Sequence, residues 1–374
     1  MKIQTLAIYL SAVILLLASY FTSMEHSGRY LKYLIFPVVG ISLLFDKQFV
    51  IKKFLLNNFT LYLSLIFCNF LVMIFRGQSN TRFFEEVFLL LIPILTVLVI
   101  TGSKETDIRK TIDVFFTAYI LSFIMFFWKE LLDVVGLLSS FFEAFKLSEF
   151  PTESWLAFPL GLFSIYYFFE KRKIYFSVSF LFFLLTFKRI AIIAFFIAIL
   201  VWFIYSKIVR IKFSPMGTLG YFVGLNIGFI GLIYLFISDF FTHFVKTHTG
   251  ISINHFTQGR FVVYKDVINR FSEHLWTGSS LGSIHLYLEN KYEDYHFLHS
   301  DIFKVLIELG IILFIVWLIF FIMINIKGKR SVFLLLFLNI LFISDNVFIY
   351  FDTLFVFYLI VSKYDNDISQ KTVG

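Results

Sequence analysis

Residues 302–326 read IFKVLIELGIILFIVWLIFFIMINI and directly follow His299, Ser300 and Asp301. A helix that crosses a bilayer needs about 20 consecutive, mainly apolar residues, and this stretch is long enough to supply them. Comparable apolar blocks recur along the chain between short charged loops. Of the whole sequence, 59% is hydrophobic and only 15% is charged, whereas soluble proteins average about 25% charged residues. The sequence therefore predicts an all-α polytopic membrane protein.

The apolar blocks predict about 12 transmembrane helices when each block is held to the length of a bilayer span. Two of the blocks are separated only by Lys188 and Arg189. The predicted spans are 5–22, 30–45, 57–75, 86–101, 111–128, 154–169, 174–187, 190–206, 216–238, 302–326, 331–345 and 347–362.

The distribution of lysine and arginine predicts which loops face the cytoplasm. Basic clusters at 171–173 and 327–330 fall in the same set of alternate loops as Lys52 and Lys110. Because cytoplasmic loops carry an excess of Lys and Arg, this alternation predicts that both termini are cytoplasmic. The net charge of +7 is thus interpreted as an orientation signal, and we expect no nucleic-acid partner. The whole chain, residues 1–374, is expected to form a single membrane domain.

Residues 239–301 form one large loop on the predicted outer face. The loop is rich in aromatic residues, which argues against disorder. Apolar residues recur at helical spacing in it, which predicts an amphipathic helix at about 259–272. With Thr257 as its N-cap, Arg260 lies in the first turn, where an arginine can clamp a phosphate through two hydrogen bonds. The alternative for Arg260 is an ordinary ion pair with a surface acid or a lipid headgroup.

His299 lies where the chain re-enters the membrane, and an imidazole at that border can act as a general base near neutral pH. Asp301 is the alternative base. His296 lies one helical turn before His299, so the two could share a face and bind a metal ion. No third ligand follows at a diagnostic spacing, and we therefore predict no metal and no cofactor.

Lys188 and Arg189 place two positive charges inside an apolar stretch. Charge at such a depth is costly and usually has a function, so we expect an anionic group beside the pair. Together with Arg260 and His299, the pair suits a lipid-linked diphosphate at the outer membrane border. The cations would hold the diphosphate, and the histidine would take a proton from an attacking hydroxyl. The predicted reaction is glycosyl transfer from a lipid carrier, without a nucleotide sugar or a metal.

At these positions the chain resembles the superfamily of O-antigen polymerase (Wzy) and O-antigen ligase (WaaL). The resemblance extends by motif over about residues 180–345. Ser300 departs from the family pattern, which has Asn at this position. The motifs that carry the resemblance are Thr186-Phe187-Lys188-Arg189-Ile190-Ala191, Gly259-Arg260-Phe261 with Tyr264, Trp276-Thr277-Gly278 to Gly282, and His299-Ser300 with Glu308-Leu309-Gly310.

The resemblance implies a GT-C-like fold with a large periplasmic loop. It also implies a metal-independent glycosyltransferase that uses undecaprenyl-diphosphate-linked oligosaccharide as its donor. In such an enzyme Lys188, Arg189 and Arg260 would bind the diphosphate, while His299 and Arg260 would be catalytic.

The resemblance further implies residence in the bacterial cytoplasmic (inner) membrane, with membrane lipid as a neighbour and a chain-length regulator protein as a candidate partner. The 55 phenylalanines and the degenerate motifs favour O-antigen polymerase, for which the lipid-linked oligosaccharide is also the acceptor. O-antigen ligase, which transfers glycan to lipid A-core, stays open. A polysaccharide transporter or flippase is the weaker alternative, because the charge collects in the second half of the chain and its outer loop.

Overall fold

The computed structural model describes residues 3–24, 31–45, 49–77, 80–104, 106–133, 136, 152–205, 214–250, 259–292 and 297–373. Within these ranges the regular structure is helical, apart from one isolated antiparallel bridge between Phe49 and Ser103. The all-α prediction is therefore confirmed for the described part of the chain. The helices are α1 (Ile3–Met24), α2 (Ile35–Leu43), α3 (Lys53–Phe75), α4 (Phe83–Gly102), α5 (Ile108–Phe126), α6 (Trp128–Leu132), α7 (Ala157–Phe169), α8 (Lys173–Leu185), α9 (Arg189–Phe203), α10 (Pro215–Phe236), α11 (Asp239–Thr249), α12 (Arg260–Phe271), α13 (Ser283–Lys291), α14 (Asp301–Asn325), α15 (Gly328–Ser344) and α16 (Phe351–Val373).

Four of the described helices, α3, α4, α10 and α14, are long and apolar enough to cross a membrane. Each of the other predicted spans also overlaps a helix, although several of those helices are shorter than the roughly 20 residues that a bilayer requires. In the predicted outer loop, α12 falls within the range predicted for the amphipathic helix.

The last helix, α16, lies at the centre of the bundle. Every residue from Leu354 to Val361 is buried, as expected for a helix that is apolar on all sides. Around it pack α3, α4, α5, α7 and α15. The outer surfaces of the bundle remain apolar, as the exposed side chains of Phe67, Phe88 and Phe196 show. An apolar outer surface around a buried core is typical of a membrane bundle.

Helix α14 is broken at Gly310, whose backbone angles are φ 79° and ψ 164°. In an unbroken helix Ile311 N would donate to the carbonyl of Ile307, but it donates instead to Leu275 O at 2.8 Å. Ser279 N replaces it and donates to Ile307 O at 3.1 Å. The loop before α13 thus takes over the hydrogen bonds that the break releases, which a backbone inside a membrane bundle requires.

The close contact at this break predicts that Gly310→Ala destabilises the fold. A Cβ at position 310 would lie 2.4 Å from the Gly278 nitrogen, and the backbone conformation is nearly restricted to glycine. We expect a loss of about 1–3 kcal/mol from backbone strain alone, seen as a lower midpoint of thermal unfolding in detergent. Gly224→Ala in α10 is the control, because no atom lies within 4 Å of a Cβ built there. Equal midpoints for the two variants would contradict the assigned role of Gly310.

Candidate active site

Asp345 lies between two of the residues predicted to act at the outer membrane border. Its Oδ2 lies 3.3 Å from Lys188 Nζ, and its Oδ1 lies 3.7 Å from His299 Nδ1. Glu153 Oε1 approaches the same lysine at 3.4 Å. The structure therefore brings Lys188 and His299 together around one carboxylate, although more than 100 residues separate them in the sequence.

Two residues at this site adopt left-handed backbone conformations, which residues other than glycine rarely adopt. His299 has φ 54°, and Phe187, directly before Lys188, has φ 48°. Such strain persists only where the surroundings fix the backbone, and it is common at functional sites. At Phe187 the turn separates α8 from α9, and Arg189 opens α9 with an exposed side chain.

Arg260 is the first residue of α12, as the sequence predicts, but the cap of that helix differs from the prediction. The N-cap is Gly259, in a left-handed conformation with φ 82°, and no side chain of a described residue caps the helix. The predicted cap, Thr257, lies outside the described residues. The glycine takes that place because the chain turns sharply into the helix there. No ion pair or hydrogen bond joins the Arg260 side chain to another described residue; the neighbouring segments 251–258 and 293–296 lie outside the described ranges.

Tyr264 connects the helix that carries Arg260 to His299. Its hydroxyl donates to the His299 carbonyl oxygen at 3.3 Å, and its ring packs edge-on against Phe303 at 5.3 Å. Burial raises the pKa of Tyr264 to about 12, with Arg260 opposing the rise and Asp345 adding to it. The hydroxyl therefore stays protonated at neutral pH and keeps its role as a donor.

A second contact holds α12 against α13. Lys291 and Tyr292 both donate to the Asp266 carboxylate. Burial raises the pKa of Asp266, but these hydrogen bonds outweigh it and hold the pKa below its ordinary value. The carboxylate stays ionised at neutral pH, so α12 and α13 remain linked.

Asp301 is fully buried, and its carboxylate accepts hydrogen bonds from the backbone of the neighbouring loop. Its Oδ2 accepts hydrogen bonds from Val347 N at 2.5 Å and Phe348 N at 2.8 Å. Its own N–H donates to the carbonyl oxygen of Asp345 at 3.2 Å. These bonds fix the loop that presents Asp345 to His299, and they leave Asp301 poorly placed to act as the alternative base.

The proposed metal pair cannot be assembled from the described residues. His296 lies outside them, and within them no group of three or more His, Cys, Asp or Glu side chains could hold a metal ion. The absence of a metal requirement therefore stays a prediction.

Sequence reasoning anticipated an anion beside Lys188 and Arg189 but did not identify it. The structure supplies Asp345 and Glu153 for Lys188, from segments remote in the chain. Glu153 directly precedes the predicted span 154–169, and Asp345 is the last residue of the predicted span 331–345; an acid at a span border is the signal in the sequence that could have marked them.

The helical bundle and its apolar outer surface define the chain as a polytopic membrane protein. A cluster of cationic and titratable side chains at its helix ends forms the candidate active site. Residues 174–318 match the family Wzy_C, described as O-antigen ligase. The match supports the predicted resemblance to the superfamily of O-antigen polymerases and ligases, whose members are glycosyltransferase-like enzymes. It includes Lys188, Arg260 and His299 but not Glu153 or Asp345. No curated protein and no solved structure shows a significant match.

The position of Ser300 predicts that Ser300→Asn preserves stability. Ser300 is the N-cap of α14, and its hydroxyl accepts from Phe303 N at 3.3 Å. Asparagine caps helices about as well as serine, whereas alanine costs about 1 kcal/mol. Thermal unfolding should therefore be unchanged in Ser300→Asn and shifted downward in Ser300→Ala. A stable alanine variant with an unstable asparagine variant would show that the cap is unimportant.

Proposed function

We propose that the protein is an O-antigen polymerase, which extends undecaprenyl-diphosphate-linked repeat units on the periplasmic face of the bacterial inner membrane. One observation carries the proposal: Lys188, Asp345 and His299 meet beside the helix that bears Arg260, and most of this site lies within the Wzy_C match.

In the proposed reaction, a hydroxyl of the acceptor attacks the anomeric carbon of the donor sugar. The new glycosidic C–O bond forms while the C–O bond to the diphosphate breaks, and undecaprenyl diphosphate leaves with the electron pair. His299 accepts the proton of the attacking hydroxyl. The carboxylate of Asp345, 3.7 Å from His299 Nδ1, favours the imidazolium that results.

The cations of the site contribute unequally to stabilising the leaving diphosphate. Lys188 already faces two carboxylates, Asp345 and Glu153, which offset its positive charge. Arg260 faces none within the described ranges, and its planar guanidinium can bind two phosphate oxygens at once. We therefore assign Arg260 the main role in holding the diphosphate, with Lys188 and Arg189 in support. Because these cations supply the electrostatic stabilisation, the proposed reaction needs no metal ion.

The description of the matched family supports O-antigen ligase as a second candidate. A ligase would use the same donor but would transfer its glycan to lipid A-core. Deleting the gene distinguishes the two activities by gel analysis of lipopolysaccharide. Loss of a polymerase leaves lipid A-core that carries one repeat unit, whereas loss of a ligase leaves lipid A-core with no repeat unit.

The proposed topology, with about 12 spans and both termini in the cytoplasm, predicts the outcome of reporter fusions. An alkaline phosphatase reporter fused after Tyr287 in α13 should be active, and one fused after Gly328, at the start of α15, should be silent. The reverse pattern would place the candidate site on the cytoplasmic face and overturn the proposed reaction.

Arg260→Ala should abolish polymer formation while the protein remains in the membrane. Arg260→Lys should restore little activity, because lysine cannot bind two phosphate oxygens in a planar fork. Arg270→Ala is the matched control, since Arg270 is an exposed residue of the last turn of the same helix. Polymer length on lipopolysaccharide gels measures the effect. Normal polymer from Arg260→Ala at native expression would exclude its role.

His299→Ala should lower the rate of polymerisation by about 10²–10⁴-fold, the usual contribution of general acid–base catalysis. The variant should still retain the lipid-linked donor, because Arg260 is intact. His248→Ala in α11 is the control, as His248 is exposed and lies in a different outer helix. Full activity in His299→Ala would show that the base lies elsewhere.

A further inference from the structure

Three ionisable side chains form a buried cluster inside the bundle, apart from the proposed reaction site. Glu86 of α4 is 3% exposed, Lys304 of α14 is 8% exposed, and Glu308 of α14 is 1% exposed. Lys304 Nζ donates to Glu86 Oε1 at 2.6 Å. Both helices are long and apolar enough to span a membrane. Ionisable groups in such helices are costly, and their retention argues for a function.

Lys304 lies in the middle of a short helical segment that begins two residues after His299. The break at Gly310 separates this segment, Asp301–Leu309, from the rest of α14. At its start, the buried carboxylate of Asp301 holds the neighbouring loop. In its middle, Lys304 joins it to α4.

Glu308 anchors the far end of the same segment. Its Oε1 accepts from Ile284 N in the first turn of α13 at 3.2 Å. Its carbonyl oxygen accepts from the Asn69 side chain of α3 at 2.8 Å. The segment is thus tied to three other helices by polar bonds, each of which fixes both distance and direction.

His285 extends this cluster toward the reaction site. Its Nδ1 lies 3.8 Å from Glu86 Oε1, and its ring packs against Phe297 with centroids 4.9 Å apart. Phe297 is two residues before His299. The cluster therefore contacts the chain on both sides of His299, through Phe297 before it and through the helical segment after it.

We propose that Glu86, Lys304 and Glu308 are positioning residues for His299, which hold the segment Asp301–Leu309 at a fixed depth in the bundle. This inference rests on the proposed function for the role of His299. Apolar contacts allow a helix to slide or rotate by a fraction of a turn, whereas a buried ion pair is stable in a narrow range of geometries. A misplacement of a reacting group by about 1 Å can cost about 10²-fold in rate.

The test compares the rates of purified variants at several concentrations of lipid-linked oligosaccharide donor. Lys304→Met removes the charge at similar length, and the double variant Glu86→Gln with Lys304→Met leaves no unpaired charge in that pair, so it should fold even where the single variant does not. The exchanged pair Glu86→Lys with Lys304→Glu restores an ion pair in reverse. Lys329→Met is the control, because Lys329 is exposed at the start of α15.

We expect the double neutral variant to lower kcat by about tenfold or more while KM for the donor changes by less than about twofold, since Lys188 and Arg260 are untouched. The exchanged pair should recover a substantial part of kcat. A wild-type kcat in the double neutral variant would overturn the proposal. An equal fall in kcat in the double neutral variant and in the control Lys329→Met would also overturn the proposal.

Hydrogen exchange provides a reading that does not depend on activity. In the double neutral variant the amides of residues 297–309 should exchange faster than in the wild type, while those of α16 stay protected. Unchanged exchange in residues 297–309 would overturn the positioning role. If the wild-type protein transfers no glycan at all, the proposed function fails, and the exchange experiment still decides whether the cluster holds this segment.

Discussion

A backbone that leaves its helix inside a membrane bundle must find new partners for the hydrogen bonds it gives up. At Gly310 the loop before α13 supplies them, and its glycine, Gly278, allows the two backbones to touch. The positions of α13 and of the segment that follows His299 depend on this contact. It fixes where α13 begins, and it separates the segment that follows His299 from the long apolar remainder of α14. Two of the motifs that carry the family resemblance meet in this contact. They are Trp276-Thr277-Gly278 to Gly282 and Glu308-Leu309-Gly310.

The electrostatics of the candidate site follow from the contact of segments that are remote in the sequence. Asp345, at the end of α15, reaches a lysine between α8 and α9 and a histidine before α14. One carboxylate therefore lies beside both the lysine and the histidine. Arg260 lies on a neighbouring helix, which Tyr264 connects to the His299 backbone. That separation supports a division of roles, in which the arginine holds the leaving diphosphate and the histidine acts on the acceptor.

Hydropathy predicted a helix at each long apolar block, because a bilayer span demands such a block and few other structures need one. It did not predict α11 and α13, which lie in the loop between the blocks. The candidate site was predicted in part for a similar reason. Lys188 interrupts an apolar stretch, and charge at such a depth usually has a function. Arg260 was identified by its place in the first turn of an amphipathic helix, and His299 by its place at the border of a predicted span. Asp345 and Glu153 could not be paired with them, since nothing in one sequence tells which distant loops meet. The break at Gly310 was also hidden, because glycine is tolerated within membrane helices and the apolar pattern continues across it.

Reconstitution of the purified protein in vesicles that contain only undecaprenyl-diphosphate-linked oligosaccharide tests the central claim most directly. We predict that lipid-linked chains of increasing length appear together with free undecaprenyl diphosphate, without any nucleotide sugar and in the presence of a metal chelator. Lipid A-core added to a parallel sample shows whether it, too, accepts the glycan. A donor that remains intact with either acceptor would contradict the assignment of glycosyl transfer to this site.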